Sequence, residues 1–141
     1  MLFRSVSQSR SGGDSFEVFA GGRISSVNNE TLRIKIKSGT TILADSGLIT
    51  LPQTTNKNWF LIITFTIRRI GAAGVAQLVT FSQLTYNKDS SNAFEGAIFS
   101  TVNTTTFDTT IANTLDITAQ WGSANAGNSI YTEVLTLTQT Y

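Results

Sequence analysis

Residues 114–141 read TLDITAQWGSANAGNSIYTEVLTLTQTY, and this stretch decides the fold class. Its first part alternates between an apolar and a polar face, formed by Leu115, Ile117, Ala119 and Trp121 against Asp116, Thr118 and Gln120. A small polar loop follows, and a second alternating run continues to Tyr141. Alternation with a period of two is typical of a strand that is buried on one side. We therefore predict a strand, a loop and a closing strand over 129–141.

The same period runs through the rest of the chain. In TLRIKIKS (31–38), alternate apolar residues face one way and Arg33, Lys35 and Lys37 face the other. WFLIITFTIRRI (59–70) also alternates, but Phe60 and Ile62 make its second face apolar, which indicates a central strand or a face that another subunit covers. GAAG (71–74) predicts a hairpin loop. Short strands separated by Gly, Asn and Ser turns predict an all-β chain, a single antiparallel β-sandwich that is jelly-roll-like.

Residues 1–14, MLFRSVSQSRSGGD, show no strand pattern and lack the apolar core of a signal peptide. We predict that they form a short flexible N-terminal arm and that the sandwich domain spans 15–141. A segment of this composition cannot bury enough surface by itself, so we expect it to become ordered on a partner. The residues that suit this role are apolar anchors and basic groups, namely Leu2, Phe3, Arg4, Val6 and Arg10.

Composition excludes several kinds of chemistry. The chain has no cysteine and no histidine, which removes thiolate metal sites and every Ser-His or Cys-His nucleophilic arrangement. Its nine carboxylates are scattered, and neither a phosphate-binding loop nor a calcium loop has the required spacing. We therefore predict no catalytic residue, no metal, no cofactor and no enzymatic activity. A jelly roll with two converging carboxylates in an aromatic cleft is the enzymatic alternative.

The charge balance and the apolar runs bear on partners. Charged residues make up 13% of the chain, and the net charge is +1, which gives no argument for binding nucleic acid or an anionic membrane. The longest apolar run, 59–67, is too short for a membrane-spanning helix, which needs about 20 residues. The basic stripe of Arg33, Lys35 and Lys37 suits a solvated strand face better than a phosphate site. Trp59 and Trp121 lie on apolar strand faces, so we expect both to pack in the core.

Four segments resemble the β-sandwich modules of tailed-phage virion proteins, and together they cover most of 15–141. They are FEVFAGGRIS, TLRIKIKSGTTILADSGLITL, NWFLIITFTIRRIGAAG and TTIANTLDITAQWGSANAGNSIYTEVLTL. The resemblance is a pattern of core-facing residues and carries no functional residues with it. It implies a structural role, either as a capsid decoration (cement) protein or as a module of a tail fibre.

Between these two roles, the sequence favours a decoration protein. The chain shows no coiled-coil heptads or collagen-like triplets of the kind that build a fibre stem. The resemblance then implies a virion protein on the outer capsid surface, with the major capsid protein and copies of itself as partners. The alternative is a tail-fibre or receptor-binding module that contacts a cell-surface glycan through the loops NKDSSN (87–92) or SANAGN (123–128).

Self-association is expected from the low charge and from the run that is apolar on both faces. Specific interfaces bury on the order of 1,200–2,000 Å² in total, which two or three copies can share by symmetry. We predict a dimer or trimer in which Phe60 and Ile62 lie on the covered face. Arg68 and Arg69 stand at its rim, either as an exposed strand end or in a salt bridge between subunits.

Overall fold

The computed structural model describes residues 2–3, 13–91 and 93–141, with residues 2–3 described by their backbone alone. Every regular element within these ranges is a β-strand, which confirms the all-β prediction. In chain order the strands are β1 Leu2–Phe3, β2 Ser15–Ser26, β3 Glu30–Ser38, β4 Thr41–Asp45, β5 Ile49–Leu51, β6 Thr54–Arg69, β7 Gln77–Asn87, β8 Phe94–Asn103, β9 Asn113–Thr114, β10 Asp116–Trp121 and β11 Ser129–Gln139.

The strands form two packed antiparallel sheets. The larger sheet has five strands in the order β11-β2-β6-β7-β8. The smaller sheet has the order β10-β3-β4, and β5 pairs with the start of β3 on the edge that β4 also uses. β2 pairs with β11 in the larger sheet, while β3 pairs with β10 in the smaller one. This nested pairing of early with late strands is the jelly-roll-like feature of the sandwich.

The core lies between the two sheets, where alternation places the apolar residues. On β6 the odd-numbered residues from Trp59 to Ile67 are buried, and on β3 Leu32, Ile34 and Ile36 are buried. β6 pairs with β2 on one side and with β7 on the other, which confirms its prediction as a central strand. The closing strand is confirmed as β11, although it ends up at an edge of the larger sheet.

The loops follow the residues that predicted turns. Asn29 and Gly39 adopt positive φ values of 62° and 58° in the two turns that flank β3. Asparagine and glycine are the residues that reach this left-handed region at least cost. The GAAG segment connects β6 to β7, as predicted. These turns explain why the chain reverses direction sharply before and after β3.

The arm is described only at its two ends. The Gly13 amide donates to the Ile67 carbonyl at 2.7 Å, and the Ile67 amide donates to the Asp14 carbonyl at 2.9 Å. Residues 13–14 therefore extend the pairing of β2 with β6 beyond the predicted boundary. The β1 strand pairs with β9, a contact that the sequence did not predict. Arg4, Val6 and Arg10 lie outside the described residues, so the prediction for them stays a prediction.

The two sides of the sandwich differ. On one side β4 packs over β8, and the Asn103 amide joins them by donating to the Ile42 carbonyl at 3.1 Å. On the other side, where β10 and β11 are the edge strands, the sheets leave an apolar cavity of about 180 Å³. Trp121 lies on this open side and is only half-buried, so its prediction as a core residue is met in part. The reason is that no described strand lies beyond β10 to cover it.

Candidate functional site

The two outer faces of the sandwich have opposite character. On the smaller sheet, Arg33 donates to both carboxylate oxygens of Asp45, at 2.8 and 2.6 Å. This pairing with the guanidinium holds the pKa of Asp45 below its usual range. Lys37 stands opposite Asp116 in the register of β3 and β10. The basic stripe is thus neutralised by neighbouring strands, as expected of a solvated face and not of a phosphate site.

The outer face of the larger sheet carries nine large apolar side chains. On each strand, alternate side chains point into the core, and the side chains between them point outwards. Several of these outward side chains are also large and apolar. We call this surface the apolar face and define it by Phe19, Phe60, Ile62, Val79, Phe81, Phe94, Ile98, Val102 and Val134. Soluble monomers rarely expose contiguous apolar patches of this kind, which mark interaction sites.

The register brings the members of the apolar face together. Phe19, Ile62, Gln83 and Ile98 form one row across four adjacent strands. Phe60 stacks on Phe19 with a centroid distance of 6.1 Å. Phe60 and Ile62 are half-buried by such neighbours, whereas Phe81 is 50% exposed and Ile98 is 65% exposed. The most accessible apolar area therefore lies towards β8.

Phe60 and Ile62 lie at the centre of this face, where the self-association prediction put them. Arg68 and Arg69 are exposed at the end of β6. Arg68 is eight residues beyond Phe60, roughly 27 Å along an extended strand, so the arginines stand at the margin of the face. Phe81 and Ile98 were not predicted from the sequence to be surface contact residues. The alternation in VAQLVTFSQL and AFEGAIFS was the signal that could have found them.

The loop end of the sandwich is polar. A cavity of about 440 Å³ is lined there mainly by residues whose side chains carry a hydroxyl or an amide, including Ser25, Asn28, Gln53 and Thr55. The SANAGN loop borders it through Ala126 and Gly127. The NKDSSN loop reaches the same end, because Asp89 accepts hydrogen bonds from the Thr55 amide and hydroxyl at 2.9 and 2.8 Å. The structure thus brings together the two loops that the glycan alternative requires, within the described residues.

Glu30 stabilises the loop between β10 and β11 at this end of the molecule. Its carboxylate accepts hydrogen bonds from the Ser123 hydroxyl, from the Asn128 side-chain amide at 2.7 Å and from the Thr31 backbone amide at 2.9 Å. These hydrogen bonds, with Ser123 contributing most, lower the pKa of Glu30. The carboxylate therefore holds the β10–β11 loop against the start of β3. Its role is to position the loop that borders the polar cavity.

The other hydrogen-bonded carboxylates serve similar local roles. The pKa of Asp89 is lowered by hydrogen bonds from Thr55, that of Glu95 by Lys88, and that of Asp108 by Thr110. A general acid needs the opposite, a carboxyl group whose pKa is raised. Within residues 13–91 and 93–141, no group of three or more metal-binding side chains converges. Nor does any described element form a helix long and apolar enough to cross a membrane.

Comparisons with family models, curated proteins and solved structures find no match to this chain. The surface that distinguishes this molecule is the apolar face.

Proposed function

We propose that this chain is a tailed-phage structural protein, a capsid decoration (cement) protein that binds the outer surface of the assembled shell. The observation that carries the proposal is the contrast between the two outer faces of the sandwich. One is charged and internally neutralised around Arg33 and Asp45, and the other exposes Phe81, Ile98 and their neighbours. A protein with one wettable and one adhesive side suits a role on a larger surface. The virion context comes from the sequence resemblance.

Binding of this kind stabilises the shell by mass action. A protein that binds the assembled shell and not the separated subunits shifts the equilibrium towards the shell, as any state-selective ligand does. Burial of apolar area provides the driving force at roughly 25 cal/mol per Å². The low charge of the chain limits repulsion between neighbouring copies. The proposed activity needs no catalytic residue, metal or cofactor.

The proposed partners are the major capsid protein and further copies of the chain, as a dimer or trimer. Phe60 and Ile62 lie at the centre of the proposed contact between copies of the chain, and Arg68 and Arg69 lie at the margin of that contact. The arm provides a second attachment through Leu2, Phe3 and Val6, with Arg4 and Arg10 available for capsid carboxylates. Nucleic acid and membrane are not among the proposed partners, because the charge balance offers no attraction to either.

The direct test is a reconstruction of purified virions that contain the chain. A decoration protein occurs in many copies at symmetry-related positions on the outer shell. A few copies confined to the tail, or none on the particle, would refute the proposal. In the same particles, deleting residues 1–12 should leave the sandwich folded and weaken its attachment. Undiminished attachment would remove the arm from the mechanism.

A pair of matched variants tests which face binds the shell. Ile98→Asp introduces a charge on the exposed part of the apolar face. Lys35→Asp reverses the sign of a charge on the opposite face of the sandwich. We expect Ile98→Asp to reduce binding to shells at least about tenfold, which is the cost of burying a poorly paired charge at an interface. Lys35→Asp should bind like the unmodified chain. Equal binding by all three proteins would exclude the apolar face as the contact.

The second candidate is a receptor-binding module that contacts a cell-surface glycan. The polar cavity favours it, because hydroxyl and amide groups converge there in a volume suited to a small ligand. No aromatic ring is among the residues that line this cavity, so it lacks the stacking surface that sugars often use. Glycan-array binding that Gln53→Ala abolishes, with Gln83→Ala on the apolar face as a control, would favour this candidate over the first.

A further inference from the structure

No described strand pairs with the outer edge of β11, and this edge carries exposed apolar side chains. The smaller sheet is only three strands wide, so it does not reach across the five strands of the larger sheet. Leu135 points towards the inner side of the sandwich, as its partner Ala20 does, yet it remains 47% exposed. It lines the open cavity together with Leu115, Ile117 and Ile130. Part of the apolar core is therefore exposed to solvent along this edge.

Only the first half of the edge is protected against pairing with another strand. There the register shifts between Thr132 and Val134, and the charged Glu133 stands at the irregularity, 4.0 Å from Arg23. Natural edge strands avoid further pairing through such bulges, through charges, especially lysine, and through proline. The second half, VLTLTQ over 134–139, contains no charged residue, no proline and no glycine. It is long enough to pair with another strand.

We propose that a second copy of the chain pairs antiparallel with this segment, about a two-fold axis at Thr136. Pairing of the two β11 strands would join the two larger sheets into one continuous sheet, as in other cases of strand addition. A two-fold axis makes each copy present the same surface to the other. Identical uncharged edges match in length and do not repel each other, which makes a second copy the occupant that this edge fits.

The residues along the edge select the register. With the axis at Thr136, each Leu135 stands opposite Leu137 of the second copy, and each Val134 stands opposite Thr138. Both leucines project to the inner side, because Leu137 pairs with Val18 and Leu135 with Ala20 in the same sheet. Moving the axis to Leu135 would instead place Leu137 opposite Glu133. Pairing at Thr136 thus brings four leucines together and joins the open apolar cavities of the two copies.

This inference goes beyond the proposed function, because it concerns the free chain in solution and needs no shell. Its contact is the backbone edge of β11, which shares only Val134 with the apolar face. Loss of the edge contact would leave shell binding by the apolar face possible, and failure of shell binding would leave the edge contact possible. The two proposals can therefore fail separately.

The absence of cysteine from the sequence makes cross-linking a sharp test. A single introduced cysteine can form a disulfide only with another copy. Paired residues in antiparallel strands have Cα atoms about 4.5–5.5 Å apart, within the range of about 4.4–6.8 Å that disulfides accept. Thr136→Cys should therefore form a disulfide dimer under mild oxidation. Thr50→Cys, at an exposed position on β5 of the smaller sheet and away from both the β11 edge and the apolar face, is the matched control.

We expect Thr136→Cys to cross-link at least about tenfold faster than Thr50→Cys, because pairing raises the effective concentration of the two thiols. Val134→Cys and Thr138→Cys should not cross-link alone but should cross-link when mixed, since each residue faces the other. Circular dichroism confirms that each variant is folded. Equal rates for Thr136→Cys and Thr50→Cys overturn the edge contact. Cross-linking of Val134→Cys by itself overturns the register.

Discussion

Two hydroxyl groups are buried in the core of the sandwich without a described hydrogen-bond partner. Thr80 and Ser82 lie on the inner side of β7, between Leu78 and Leu84, and both are fully buried. Neither side-chain oxygen makes a hydrogen bond within the described part of the chain. A buried polar group without a partner costs about 1–3 kcal/mol. These positions therefore lower the stability of the native state.

Thr80→Val should stabilise the protein, because valine has nearly the same shape and carries no hydroxyl to desolvate. We expect the free energy of unfolding to rise by about 1 kcal/mol, measured by urea denaturation. Thr138→Val, at an exposed position, is the control and should change stability by less. A loss of stability in Thr80→Val would show that its hydroxyl has a favourable contact.

Glu30 makes stability depend on pH. Its pKa is lowered in the folded protein from an ordinary value of 4.5, so its contribution is fully present above that value. The contribution disappears as the pH falls through the lowered pKa of the folded state. Glu30→Gln should reduce the melting temperature at neutral pH and have a smaller effect near pH 3, the acid side of an ordinary glutamate. Melting curves from about pH 3 to pH 7 measure this, and a difference that stays constant across the range would contradict it.

At the scale of elements, Gly22 is required where β2 meets the irregular part of β11. A Cβ atom at this position would overlap the carbonyl oxygen of Tyr131 and stand 3.0 Å from the Glu133 amide nitrogen. The backbone of β11 therefore approaches β2 more closely than a side chain permits. This glycine determines where the register shift occurs.

Gly22→Ala should destabilise the protein by about 2 kcal/mol, the usual cost of forcing extra atoms into a packed site. Hydrogen exchange should become faster in β11 before it changes in β6. Arg23→Ala at the adjacent position should cost much less, because it removes a long surface ion pair with Glu133 and a long, exposed hydrogen bond to the Asn56 carbonyl. Equal stability of Gly22→Ala and the unmodified chain would show that the strands can separate locally without cost.

The elements that the sequence predicted are those with a local signal. Alternation within β3, β6 and β11 identified these strands, and the GAAG turn identified a hairpin, because each signal lies within a few neighbouring residues. The pairing of β1 with β9 is not predictable in this way, since two residues cannot show a period. The half-burial of Trp121 also depends on a distant fact, namely that β10 lies at an edge.

The candidate site was predictable to a similar extent. Phe60 and Ile62 could be recognised because their strand is apolar on both faces. The extent of the apolar face could not be recognised from the sequence, because it depends on how four strands align their outward residues in one row. Asn103 was not predicted as a structural residue either. It accepts hydrogen bonds from the backbone amides of Thr105, Thr106 and Phe107 as well as joining β8 to β4.

For the molecule as a whole, the apolar face predicts association of the free chain. We expect a dimer or trimer in sedimentation experiments, and we expect Phe60→Asp to remove the contact through the apolar face, leaving a folded monomer or the dimer paired through β11. The stacking of Phe60 on Phe19 means that this substitution also costs stability, so a folded monomer must be verified by circular dichroism. Lys35→Asp on the opposite face should leave the oligomer unchanged. A stable monomer of the unmodified chain, found as isolated copies on the virion, would reject self-association.

The nested pairing of β2 with β11 and of β3 with β10 also determines when the protein can fold during its synthesis. Phe16 pairs with Gln139, and Lys37 pairs with Asp116, so both sheets are completed only by strands that are synthesised long after β2 and β3. A nascent chain that ends after β8 has its central strands but lacks two of the partners that complete β2 and β3. Topologies dominated by such distant pairings fold in milliseconds to seconds. We therefore expect the nascent domain to remain incomplete, with its strand edges exposed to chaperones, until β10 and β11 emerge from the ribosome.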